Sequence, residues 1–86
     1  MYQVRLSRRA LKDADRLPGE VWQRALNALR VLREDPRPRG CIKIQGEVNL
    51  YRIRVGDYRA LYDIDDTAQM VMVLRIQHRR EAYRDL

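Results

Sequence analysis

Four arginines, the single histidine and one tyrosine carry most of the chemistry this sequence offers. Arg52 and Arg54 alternate in Tyr51-Arg52-Ile53-Arg54-Val55, and Arg59 follows directly after Gly56-Asp57-Tyr58. His78, Arg79 and Tyr83 stand together in Gln77-His78-Arg79-Arg80-Glu81-Ala82-Tyr83-Arg84. A guanidinium presents a planar fork of N–H donors that matches two phosphate oxygens. An imidazole exchanges protons near neutral pH, and a phenol offers a hydroxyl for proton transfer or a ring for base stacking. Cations for an anionic oxygen plus a group that moves protons are what phosphoryl chemistry requires.

The whole composition leans the same way. Lys and Arg number 18 against 12 Asp and Glu, a net charge of +6 that favours an anionic partner, either nucleic acid or an acidic protein. All the basic residues except Lys12 and Lys43 are Arg. A GC-rich coding sequence would produce the same skew, so it adds only weak support. Cys41 and His78 are each the only one of their kind, which leaves no intramolecular disulfide and no Cys- or His-based metal site, and no cofactor is expected. A small apolar strand position is the reading for Cys41. No apolar run approaches membrane-spanning length and no signal-like segment follows Met1, so a soluble cytoplasmic protein with no membrane partner is expected.

The elements that must position these residues fit within one domain, residues 1–86. Tyr2 to Leu6 alternates as a short strand, and Ser7 can cap the helix that follows. Ala10, Leu11, Ala14 and Leu17 form that helix's apolar stripe, and Leu17-Pro18-Gly19 ends it. A second helix from about Glu20 to Glu34 repeats Val21, Trp22, Ala25, Leu26, Leu29 and Leu32 at three- and four-residue spacing. Asp35-Pro36-Arg37-Pro38-Arg39-Gly40 then reads as a connector, either a solvated linker or a phosphate-contacting loop. Period-two segments follow at Cys41–Ile44, Leu50–Val55, Tyr58–Ile64 and Met70–Gln77. The expected fold is α+β: an N-terminal strand and a helical hairpin packed on a small antiparallel sheet, in the order β-α-α-β-β-β-β, with a short C-terminal helical tail.

Gly56-Asp57 has the composition of a two-residue type II′ hairpin loop, which fixes a register. Val55 then faces Tyr58, Arg54 faces Arg59, Ile53 faces Ala60 and Arg52 faces Leu61. Arg52, Arg54 and Arg59 share one sheet face, with Asp63 available to neutralise one of them. Tyr51, Ile53, Val55, Ala60, Tyr62 and Ile64 occupy the other face as core. A single arginine on such a face is ordinary solvated surface. Three converging ones cost repulsion that alternating signs would avoid, and they suit a phosphate.

The blocks Tyr51-Arg52-Ile53-Arg54-Val55-Gly56-Asp57-Tyr58-Arg59-Ala60-Leu61-Tyr62 and Val73-Leu74-Arg75-Ile76-Gln77-His78-Arg79-Arg80-Glu81-Ala82-Tyr83 resemble a RelE-type toxin of the RelE/ParE toxin–antitoxin superfamily. The likeness runs over nearly the whole chain. It implies a ribosome-dependent mRNA endonuclease in which the ribose 2′-OH attacks the adjacent phosphate of an A-site codon, without a metal, and translation stops. By resemblance, Arg52 and Arg54 match basic positions on the middle strand, Arg59 the phosphate-binding Arg after the turn, Arg79 the Arg after the last strand, and Tyr83 the C-terminal Tyr. His78 stands where a basic residue is frequent. The expected catalytic set is thus Arg52, Arg54, Arg59, His78, Arg79 and Tyr83, with Arg52, Arg54, Arg59 and Arg79 binding phosphate. Some relatives carry Lys on the middle strand. Arg holds its proton too firmly for a base, so Tyr83, His78 or the ribosome would supply proton transfer.

The resemblance also implies partners: a cognate acidic RelB-like antitoxin, the ribosome with its mRNA, and operator DNA reached through the antitoxin complex. Two other functions fit the same fold. One is a ParE-type toxin that inhibits DNA gyrase without cleaving RNA; the other is a non-catalytic nucleic-acid-binding module.

Overall fold

A computed structural model describes the backbone of residues 1–84 and the side chains of residues 1–81. The strand β1 (Gln3–Leu6) leads into α1 (Arg8–Asp15), and α2 (Gly19–Glu34) runs on after Pro18. The strands β2 (Ile42–Lys43), β3 (Leu50–Val55), β4 (Tyr58–Asp65) and β5 (Met70–His78) follow, and α3 (Arg79–Arg84) closes the order. Among the described residues no helix is long and apolar enough to cross a membrane.

Ser7 caps α1 as its residue type suggests, its Oγ accepting from the Ala10 N–H at 3.1 Å. The five strands form one sheet in the order β1-β5-β4-β3-β2. The β2–β3, β3–β4 and β4–β5 pairs are antiparallel, whereas β1 joins the far side of β5 in parallel, Gln3 against Met70 through Leu6 against Val73. The N-terminal strand is therefore part of the sheet. The expected Cys41–Ile44 strand contracts to two residues, although the Ile44 N–H still donates to the Leu50 carbonyl at 2.9 Å. Beyond Ile44 the chain bends away through Gly46, whose φ of 85° suits a residue without a Cβ.

Both helices cover one face of the sheet. Ala10 of α1 and Leu29 and Leu32 of α2 meet Tyr51, Ala60, Tyr62, Ile64, Val71, Val73 and Ile76 in a single buried cluster. The connector after α2 is fastened to this layer at Pro36 and Arg37, while Asp35, Arg39 and Gly40 stay exposed. Pro36 is buried, and its carbonyl accepts from the buried Tyr62 hydroxyl at 2.9 Å. Arg37 donates through Nε to the Tyr51 hydroxyl at 3.0 Å and pairs with Asp66 at 2.9 Å. Its guanidinium also lies over the Tyr51 ring, 5.1 Å from the centroid. Asp66 in turn accepts from the Tyr2 hydroxyl at 2.7 Å, so this arginine is committed to holding the connector against the β4–β5 turn.

Candidate nucleic-acid interface

The β3–β4 hairpin has the register its loop composition dictates: Val55 opposite Tyr58, Arg54 opposite Arg59, Ile53 opposite Ala60, Arg52 opposite Leu61. Gly56 adopts φ 59° while Asp57 keeps a negative φ, the combination a type II′ turn needs. Opposed residues point to one side of a sheet, so Arg52, Arg54 and Arg59 stand on the face opposite α1 and α2. Arg54 is exposed; Arg52 and Arg59 are half-buried among their neighbours. The Nε of Arg52 is buried and has no hydrogen-bond partner among the described residues. A buried donor left unmatched is costly, and an anion placed on this face would satisfy it.

The strand β5 extends the same face. Gln77 lies opposite Arg59, placing Arg54, Arg59 and Gln77 in one cross-strand row, with Gln77 only 8% exposed. Sequence reading overlooked Gln77. The Asp65-Asp66-Thr67-Ala68 turn is longer than the Gly56-Asp57 loop and does not fix the β4–β5 register by itself.

That register contains a bulge. Arg75 lies opposite Leu61 and Val73 opposite Tyr62, which leaves Leu74 as the extra residue. The bulge shifts the alternation by one position. Val71 and Val73 enter the core before it, and Ile76 enters after it. His78 follows Ile76 onto the helix side, opposite Tyr58, and its ring meets the Tyr58 ring edge-on with centroids 5.2 Å apart. It lines a cleft with Asp13, Arg16, Leu17 and Arg75 rather than joining the three arginines. Its Nδ1 faces the Arg80 N–H at 3.3 Å. Arg79 opens α3, with its N–H donating to the Asp57 carbonyl at 2.8 Å, which seats α3 beside the hairpin turn. The side chain of Tyr83 lies outside the described residues. Asp63 is on the arginine face, opposite Leu50 and Met72, but forms no ion pair with a described residue.

Past Val73, β5 has no further strand partner on its β1 side, and α1 supplies the missing bonds. The Ser7 Oγ–H donates to the Leu74 carbonyl at 3.0 Å, and Asp13 accepts from the Ile76 N–H at 2.9 Å. Burial alone would raise the Asp13 carboxyl. Hydrogen bonds from Arg75 and Ile76, with the charges of Arg75 and Arg9, outweigh it and hold the group below the usual carboxylate range.

This arrangement, a helical hairpin behind a sheet whose opposite face carries clustered arginines, has relatives. Residues 4–83 match the family described as ParE toxin of type II toxin-antitoxin system, parDE. The chain belongs to the RelE/ParE toxins. It is 32% identical over 84 residues to toxin RelG of Mycobacterium tuberculosis, covering 96% of this chain and 97% of that one. Among solved structures, this RelE/ParE toxin is similar to a chain of the archaeal RelE-RelB complex from Pyrococcus horikoshii OT3, with a TM-score of 0.82 and 30% identity over 91% of this chain and 94% of that one. A chain of the intact E. coli RelBE toxin-antitoxin complex gives a TM-score of 0.81 and 26% identity over 91% and 96%. The expected fold class and superfamily are both met by these likenesses.

Proposed function

We propose that this type II toxin is an endoribonuclease that cuts mRNA in the ribosomal A site. The reading is carried by the grouping of Arg52, Arg54 and Arg59 on the sheet face opposite α1 and α2, with the buried Arg52 Nε lacking a partner among the described residues. In the reaction the ribose 2′-oxygen attacks the adjacent phosphorus and the bond to the 5′-oxygen breaks. The products are a cyclic phosphate and a free 5′-hydroxyl. The nucleophile belongs to the substrate, so the protein must supply charge stabilisation and two proton transfers. Arg52, Arg54, Arg59 and Arg79 are assigned to the phosphate oxygens. Proton transfer is assigned to Tyr83 or to the ribosome, because His78 projects from the opposite side of the sheet.

The proposal extends to partners. Solved relatives include toxin chains of RelE-RelB and RelBE complexes, which supports an acidic RelB-like antitoxin for this chain. Such an antitoxin would neutralise the arginine face and link the toxin to operator DNA, in the cytoplasm where mRNA is translated. The competing reading, a ParE-type toxin that binds gyrase and cuts no RNA, is favoured by the description of the matched family. Primer extension on an mRNA being translated in a cell-free system separates the two. Cuts within A-site codons that weaken in Arg79→Ala and Tyr83→Phe variants are expected. Intact transcripts from a protein that still arrests growth would transfer the assignment to gyrase or another non-hydrolytic target.

A further inference from the structure

The sheet face opposite α1 and α2 changes character along its length. Two residues from Arg52 on β3 stands Leu50, in the row Leu50–Asp63–Met72, roughly 7 Å along the strand. There the floor of a groove is apolar, formed by Leu50, Met72 and the bulged Leu74, and Val48 at its mouth is 78% exposed. Its polar groups are the carboxylates of Glu47 and Asp63 and the exposed carboxamide of Asn49. Asp63 is half-buried, and its carboxylate forms no ion pair or hydrogen bond with a described residue.

We propose that this groove holds one nucleobase of the RNA whose phosphates lie on Arg52, Arg54 and Arg59, and that Asp63 selects a base carrying an exocyclic amine over uracil. The inference rests on the endoribonuclease reading for its ligand. Charge sets the orientation of the strand. Carboxylates at one end repel phosphate and arginines at the other attract it, so only the uncharged part of a nucleotide can enter the groove. One residue pair along the strand is about the reach from a phosphate to the base of its own nucleotide. The flat apolar floor takes a base face in van der Waals contact, in the way single-stranded RNA is held by splayed-out bases. A carboxylate accepts hydrogen bonds and donates none. Adenine, cytosine and guanine each offer it an exocyclic amine, whereas uracil has only the N3–H, flanked by two carbonyl oxygens that repel a carboxylate. Glu47 is exposed and belongs to the loop before β3. Asp63 is fixed in β4, the better-defined reader.

The test is binding of short homopolymeric oligoribonucleotides of A, C and U to the purified toxin, measured by fluorescence anisotropy without ribosomes. Wild type is expected to bind the A and C oligomers about tenfold tighter than U. Asp63→Asn, whose carboxamide can donate to a uracil carbonyl, is expected to bring the three within about twofold of one another while melting like wild type. Arg54→Gln is expected to weaken all three equally, which isolates the phosphate contribution. Preference unchanged in Asp63→Asn, or lost instead in Glu47→Gln, would overturn the assignment of Asp63. Equal binding of the three by wild type would overturn the groove while leaving the arginine face intact. Absence of binding to any of them would overturn both.

Discussion

Asp13 and Arg75 lie 62 residues apart in the chain and meet at 2.8 Å, tying α1 to β5 just where β5 runs beyond β1. The same carboxylate oxygen takes the Ile76 N–H, so one side chain closes a strand edge and neutralises a charge. Asp13→Asn removes the charge without changing the shape. We expect a loss of about 2 kcal/mol at neutral pH, measured by urea unfolding.

The acid dependence has a definite sign. Folding holds the Asp13 carboxyl below its usual range, so its contribution is full above the unfolded value, near 4, and fades as pH falls through the lower folded value. The stability gap between wild type and Asp13→Asn should therefore shrink as pH falls below about 4. Asp66, held low by its hydrogen bonds from Arg37 and Tyr2, acts in the same direction and is unchanged in that comparison. A gap that stays constant down to pH 2 would show that the charge on Asp13 contributes nothing.

Arg54 and Arg59 are directly opposed like charges, an arrangement that costs the fold and that a bound phosphate would relieve. Arg54→Gln should raise stability by about 0.5 kcal/mol in thermal melts. The same variant should cut RNA about a hundredfold more slowly in a translation extract. A variant that is both more stable and equally active would remove the arginine pair from the mechanism.

Because His78 packs on Tyr58 behind the sheet, it should take no part in proton transfer during cleavage. The pH–rate profile of His78→Gln should keep the shape of wild type, whereas Tyr83→Phe should lower the rate throughout. Loss of an inflection near neutral pH in His78→Gln would return proton transfer to the histidine.

The hydroxyl of Tyr62 is buried against the Pro36 carbonyl, and burial, first among its causes, pushes its ionisation up. Tyr62→Phe leaves that carbonyl unmatched and should cost about 1 to 2 kcal/mol by urea unfolding. Breaking the exposed Arg37–Asp66 pair with Asp66→Asn should cost less, since solvent and salt screen it.

The legible parts of this molecule are those set by neighbours in sequence. The Gly56-Asp57 loop specified which arginines oppose each other, and Ser7 announced the start of α1. The apolar spacing of α2 pointed Leu29 and Leu32 inward. What stayed hidden depends on distant partners. No local pattern reveals that β1 runs parallel to β5, nor that Leu74 is bulged. Extrapolating simple alternation from Val73 would send Ile76 and His78 to the arginine face, and the bulge reverses both. Arg37, in a run that reads as solvated linker, is claimed by Asp66 and Tyr51 for the same reason.

The parallel seam between β1 and β5 has a consequence in time. The first strand can dock only after residues 70–73 have been made, and the arginine face needs β4 supported on its β5 side. Such a long-range closure forms late. A growing chain that has not yet released β5 presents no assembled arginine face. The order of strands in the sheet thus keeps the arginine face unassembled until β5 is free to pair.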